Sequence, residues 1–203
     1  VFLKYLEEQN IITTLVEEVY RTTSGKNSEN STRVVLSENQ QKICDIICKD
    51  YDNGIRNTYL IHGVTGSGKT SVFLSLIDKV ISDGRQVIVM VPEISLTPQM
   101  MAQFKGRYGS EVAIFHSALS VGERRDEYKR VKDGLVKIAI GTRSAVFAPF
   151  DNIGLIVIDE EQEHTYKSES SPRYHTIDVA KFRIKSHNAL LLLSSATPSV
   201  ESY

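Results

Sequence analysis

The chain has 203 residues, enough to bury a core of its own and suited to one domain, or to one domain with a fragment of another. Its 24 basic and 25 acidic residues leave a net charge of −1, so no global basic field announces nucleic acid. No apolar run approaches the roughly 18 residues of a membrane span and the start shows no cleavable signal, so a cytoplasmic protein with no membrane partner is the expectation.

The opening VFLKYLEEQNIITTLVEEVYR reads as a short helix followed by a strand, too short to fold alone. TTSGKNSENST then abandons the hydrophobic pattern, which is the composition of a flexible linker. The expected organisation is residues 1–21 as the tail of a preceding module, 22–33 as the linker, and 34–203 as one lobe. In QQKICDIICKD, Ile43, Cys44, Ile47 and Cys48 share a helix face. Core packing is the expectation there, because no His or further Cys pair completes a zinc set. From Ser37 onward, apolar runs recur near TYLIHG, QVIVMVP, EVAIFH, VKIAIG, LIVIDE and ALLLLSSAT, separated by stretches of helical composition. Apolar strands spaced by helices predict an α/β fold in three layers, a mostly parallel sheet with helices on both faces. The helix in GERRDEYKRVKDG alternates its charges, which predicts a solvated face.

Ligands of such a sheet bind where the strands end in loops. At the first of these ends HGVTGSGKT sets Gly63, then Thr65, Gly66, Ser67, Gly68, Lys69 and Thr70, between a strand and a helix. Glycines let backbone N–H groups turn toward phosphate oxygens, the helix N-terminus adds its dipole, and the lysine reaches the outer phosphates. A nucleotide's phosphates with Mg²⁺ are the expected ligand, Thr70 placing its hydroxyl on the metal. LIVIDEEQEHTYK ends a buried strand in Asp159, Glu160 and Glu161, a cluster that needs a cation or a reaction to justify it. Asp159 is assigned to Mg²⁺ and Glu160 to the general base that orients the attacking water, so Lys69, Asp159 and Glu160 form the expected catalytic set.

These features leave open a motor, a P-loop phosphotransferase, or a non-catalytic nucleotide-gated interaction module. No Asn-Lys-x-Asp stretch points to GTP. The remaining strand ends carry polar sets: VPEISLTPQ, then Thr142, Arg143 and Ser144 in IGTRSAVFAPF, then Ser194, Ser195 and Thr197 in LLSSATPSVES. Hydroxyls and an arginine along one sheet edge suit a phosphodiester backbone held without base reading.

Taken in order, the phosphate loop, VPEISLTPQ, FHSALSVGER, GTRSAVFAPF, DEEQEHTYK, PRYHTIDVA and SATPSVES resemble the first motor lobe of a superfamily 2 helicase. More narrowly, they resemble the PriA (primosomal protein N′) family of bacterial replication-restart helicases. The resemblance runs from about Val34 to the end and implies a RecA-like P-loop NTPase lobe, preceded by the tail of a winged-helix region. It implies an ATP-dependent 3′ to 5′ DNA helicase that restarts stalled forks and assembles the primosome. Single-stranded and forked DNA, single-strand-binding protein and primosome proteins are the partners it implies, in the bacterial cytoplasm at nucleoid forks.

The same resemblance implies that Gln40 reads adenine and that Gln162, Ser195 and Thr197 couple nucleotide state to DNA. Tyr166, Lys167, Arg173, Tyr174 and His175 fall in an aromatic-rich loop that senses single-stranded DNA, where aromatic faces stack on bases; His175 and Tyr174 have the alternative of capping the next helix. Two positions depart from the family pattern: Gln162 stands where a His is usual, and Ile177 where relatives carry an Arg. The arginine finger and the zinc-binding cysteines belong to a second lobe in this family, so the 203-residue piece alone is expected to bind ATP–Mg²⁺ weakly and hydrolyse it poorly.

Overall fold

The computed structural model describes residues 35–203, together with Gln9. The expected winged-helix tail and linker lie outside those residues. Six strands alternate with helices: α1 (Glu38–Asp52), β1 (Thr58–His62), α2 (Lys69–Ser82), β2 (Gln86–Met90), α3 (Pro98–Tyr108) and β3 (Val112–Phe115) come first. After them come α4 (Val121–Lys132), β4 (Ile138–Gly141), β5 (Ile153–Ile158), α5 (Thr176–His187) and β6 (Leu190–Ser195). Each strand coincides with one of the six apolar runs. Short 3₁₀ turns at Glu93–Ser95, Arg143–Phe147 and His164–Tyr166 follow the ends of β2, β4 and β5.

All strand pairs are parallel, in the order β1-β6-β5-β2-β4-β3. Because the pleat alternates, each strand feeds two cores. Val87, Val89, Leu155, Val157, Leu190 and Leu192 face one side, where Cys44 and Ile47 of α1, Phe73 and Ile77 of α2, and Phe104 of α3 cover them. Ile88, Met90, Ile156, Ile158, Leu191 and Leu193 face the other, under Val131 of α4 and Ala180 and Ile184 of α5. Every residue of β5 and β6 is buried, so these strands read as continuous apolar runs and not as alternating ones. Burying one such aliphatic side chain stabilises by about 1.5–3 kcal/mol, which makes the middle of the sheet a rigid base for the loops at its ends.

Local signals fix the helices. Ser37 and Gln40 close a capping box at the start of α1, and Ser120 and Glu123 do the same for α4. Thr97 caps α3, with Pro98 at its first position. Both cysteines are free thiols; Cys44 is buried and Cys48 half-buried, in keeping with core packing. The alternating charges of α4 lie partly or fully in solvent, apart from the Glu127–Arg130 pair. Arg130 is 7% exposed. It pairs with Glu127 at 2.8 Å and donates to the Ser110 carbonyl at 2.6 Å, pinning α4 beside β3.

Candidate nucleotide and nucleic-acid sites

The phosphate loop leaves β1 at Gly63, whose N–H donates to the Ser195 carbonyl at 3.1 Å and so ties it to the end of β6. A Cβ at Gly63 would stand 2.8 Å from Ser67 Oγ, closer than a side chain tolerates. Gly68 has φ +80° and would drive a Cβ into the Gln40 amide. The loop is therefore tightly packed at these two glycines, whereas Gly66 faces open space. It leads to the start of α2, which has neither a side-chain cap nor an acidic residue in its first turn. That is a donor-rich end suited to an anion. Lys69 Nζ donates to the carbonyls of Gly63 at 2.7 Å and Val64 at 3.3 Å, holding its ammonium at the mouth of the loop. Thr65, Gly66 and Ser67 line the exposed rim and Thr70 is half-buried one residue inside the helix.

Gln40 has work within the chain. Its amide oxygen accepts from Ser37 N–H at 2.8 Å, and its amide nitrogen donates to the Ser67 carbonyl at 2.8 Å, clamping α1 onto the phosphate loop. The structure thus gives Gln40 a positioning role that the sequence pattern did not reveal.

The acid cluster sits across one strand. β6 lies between β1 and β5, so the ends of β1 and β5 are two inter-strand steps apart, about 10 Å. Asp159 is held there by its N–H on the Met90 carbonyl at 2.9 Å, and its carboxylate accepts from Ser194 Oγ at 2.8 Å and from Glu160 N–H at 3.1 Å. Burial raises the Asp159 carboxyl above its ordinary pKa, with the Glu160 charge adding to the rise; the Ser194 hydroxyl and, more weakly, the Lys69 ammonium pull it down. Lys69 and Asp159 thus stand on the same edge of the sheet, with β6 between their strands. A half-buried carboxylate at the end of β5 and the Thr70 hydroxyl at the start of α2 are oxygen ligands of the kind Mg²⁺ takes on a triphosphate, with Lys69 as a counter-charge for the phosphates.

Glu160 has φ +47°, in the left-handed region, so the three successive acids leave the strand in different directions. Its carboxylate accepts from Gln162 Nε2 at 2.9 Å; Gln162 Oε1 accepts from Ser195 Oγ at 2.5 Å; Ser195 Oγ accepts from Thr197 N–H at 2.9 Å. This chain runs unbroken from the second acid to the segment after β6. Gln162, the departure from the family pattern, makes both of its central bonds.

The residues assigned to DNA divide among three surroundings. Thr142, Arg143 and Ser144 line a cavity of about 270 Å³ with Glu93, His116, Ser117, Arg124 and Thr165. His116 and Ser117 follow the end of β3 directly, and Ser117 donates to Glu93. The strand-end rule that found Thr142 would have found them too. Lys167, Arg173 and Tyr174 line a neighbouring, more open groove of about 630 Å³ with Ser168, Glu169 and His175. Arg143 Nη1 donates to the Lys167 carbonyl at 3.2 Å and so joins the two grooves. The Tyr174 ring meets exposed Phe147 edge to face, with centroids 5.0 Å apart. His175 caps α5, its Nδ1 accepting from Ile177 N–H at 3.3 Å.

Tyr166 departs from its assignment. It is 1% exposed, with its hydroxyl donating to the Asp159 carbonyl at 2.7 Å. No base can stack on it; it pins the acidic loop from below, and burial together with the Asp159 charge raises its phenol well above the ordinary value. Ile177 is 9% exposed and packs in the second core, which accounts for an apolar residue at that position. Glu161, given no separate role by its sequence, proves to be the most buried of the three acids.

A parallel sheet with a phosphate loop on its edge strand, an acid pair two strands away and a hydroxyl-bearing strand between them defines a RecA-like, ATP-binding motor lobe. The chain belongs to the DEAD/DEAH box helicase family, whose pattern matches residues 37–203. Nucleotide and Mg²⁺ use go with that family.

Its similarity to the replication restart protein PriA is extensive. It is 45% identical over 202 residues to that protein of Bacillus subtilis, covering 99% of this chain and 25% of the relative. It is likewise 45% identical over 168 residues to that of Treponema pallidum, covering 83% of this chain and 25% of the relative. The chain thus spans about a quarter of the length of these relatives. Among solved structures, it shares the fold of RecG bound to a three-way DNA junction, with a TM-score of 0.61, 23% identity, and coverage of 83% of this chain and 22% of that one. It also shares the fold of the helicase MrfA bound to DNA and AMPPNP, with a TM-score of 0.56, 17% identity, and coverage of 81% and 24%. Among the described residues no helix is long and apolar enough to cross a membrane.

Proposed function

We propose that the chain is the ATP-hydrolysing lobe of a 3′ to 5′ DNA helicase that restarts stalled replication forks in the bacterial cytoplasm, at the nucleoid. The observation that carries this reading is the hydrogen-bonded run from Glu160 through Gln162 and Ser195 to Thr197, on the sheet edge that also carries the phosphate loop.

In this reading the loop from Gly63 to Gly68 binds the phosphates through N–H groups, and Lys69 exchanges its carbonyl partners for phosphate oxygens. Thr70 and Asp159 hold Mg²⁺, which when bound neutralises charge on the outer phosphates. Glu160, kept in place by Gln162, orients the attacking water and takes its proton. Thr142, Arg143 and Ser144 grip the phosphodiester backbone, while Tyr174, with Lys167 and Arg173 beside it, meets an unstacked base. Single-stranded and forked DNA are the substrates, with single-strand-binding protein and primosome proteins as partners. The arginine finger and a zinc site come from parts of the protein beyond this lobe.

Glu160→Gln in the full-length protein tests the reading. It keeps the shape of the side chain and its bond to Gln162 but removes the base, so ATP binding persists while DNA-stimulated hydrolysis is lost. Unchanged hydrolysis would overturn it.

A further inference from the structure

The three acids at the end of β5 have three different surroundings, and the reaction proposed above employs only the first two. Glu161 is 3% exposed. A carboxylate taken from water must be compensated, and its partners here are all neutral groups of one segment. Its oxygens accept from Ser199 N–H at 2.7 Å, from Ser199 Oγ at 3.1 Å and from Ser202 Oγ at 2.9 Å. Its own N–H donates to the Ser194 carbonyl at 3.0 Å. Glu161 is therefore fixed to β6 by its backbone and to the segment after β6 by its side chain.

That segment is the one that carries Thr197. Between Ser195, the last residue of β6, and Ser199, the first residue gripped by Glu161, there are only three residues. With both ends tied, the N–H of Thr197 is kept on Ser195 Oγ, and Ser195 on Gln162. Two routes thus join the acidic loop to the segment after β6: the amide and hydroxyl run that begins at Glu160, and the buried carboxylate next to it.

We infer that Glu161 is a positioning residue for ATP hydrolysis: a latch that makes the acidic loop and residues 196–202 move as one unit, so that displacement of that segment is felt at Glu160. This rests on the reading of Glu160 as the base.

The latch is tested in the full-length protein with Glu161→Ala, Glu161→Gln and the double variant Ser199→Ala with Ser202→Ala. Amide hydrogen exchange across 197–202 is read beside DNA-stimulated ATPase. Glu161→Ala is expected to speed exchange in that segment and to lower kcat by about 10- to 100-fold, the scale of a small misplacement of a catalytic group, with the KM for ATP little changed. Glu161→Gln restores most of both, since its oxygen still accepts from Ser199 N–H and its amide can donate to a serine hydroxyl. The double serine variant falls between. Faster exchange with wild-type DNA-stimulated kcat would overturn the inference, leaving Glu161 a purely structural anchor; unchanged exchange would overturn the latch itself. If Glu161→Ala does not fold, the other two variants decide on the same criteria. Glu160→Gln that still hydrolyses ATP would instead remove the base assignment, an outcome that the exchange measurement does not share.

Discussion

Replacing Gln40 by Ala separates a residue that reads a nucleotide from one that also builds the site. Both of its amide bonds, to Ser37 N–H and to the Ser67 carbonyl, are 2.8 Å long. A neutral hydrogen bond contributes about 0.5–1.5 kcal/mol net, and both of these lie near solvent, so the pair is worth about 1–2 kcal/mol. For a chain of this size that corresponds to a fall of about 2–8 °C in Tm. The assay is thermal melting of the chain without nucleotide, where no adenine is present to be read. Gln40→Glu divides the effect: its oxygen still accepts from Ser37, but a carboxylate against the Ser67 carbonyl repels, so the phosphate loop loosens while the helix cap survives. A Gln40→Ala chain that melts within about 1 °C of the unaltered one would refute the clamp and leave adenine recognition as its whole role.

Ser194→Ala removes the hydroxyl that most strongly lowers Asp159 against the effect of burial. An acid whose pKa is raised in the fold favours its protonated form, so the metal-free lobe gains stability as pH falls through that pKa, while Mg²⁺, which needs the carboxylate, is lost over the same interval. The acid limb of Mg²⁺-dependent ATPase in the full-length protein should move to higher pH in the variant; an unmoved limb would refute the assignment. Tyr166→Phe should leave single-stranded DNA affinity unchanged and cost about 1 kcal/mol of stability in urea melts, through its lost bond to the Asp159 carbonyl. Tyr174→Ala, on the groove, should weaken DNA binding by about 1–3 kcal/mol in fluorescence anisotropy. Residues 1–203 expressed alone should hydrolyse ATP about 10³- to 10⁵-fold more slowly than the full-length protein with DNA, the scale of an arginine supplied from outside the lobe; comparable steady-state turnover would refute this.

The fold was legible because its strands announce themselves: β5 and β6 are uninterrupted apolar runs, and each ends in a polar motif that marks the functional edge. Gly63 and Gly68 were legible for a related reason, since a tight phosphate loop admits few other residues there. What stayed hidden depends on direction. Tyr166 and Tyr174 are both aromatic residues after the acid motif, yet the His164–Tyr166 turn sends one ring into the core and leaves the other beside a groove. Glu161 looked like one more charge in a row, and only the left-handed turn at Glu160 shows that it faces Ser199 and Ser202. Arg130 likewise follows the alternating pattern of an exposed helix and still turns inward, because the Ser110 carbonyl lies within its reach.

The placing of β6 between β1 and β5 has an evolutionary corollary. The width of the catalytic rim is set by main-chain ladders, whose spacing no side-chain replacement alters. Exchanges among the apolar residues of these three strands can soften the lobe or shift its melting, but they leave the spacing of the strand ends unchanged. Adjustments of turnover or coupling therefore fall to Ser194 and Ser195 at the tip of β6 and to the short loops beyond the strand ends, and it is there that differences between fast and slow motors of this build should be sought.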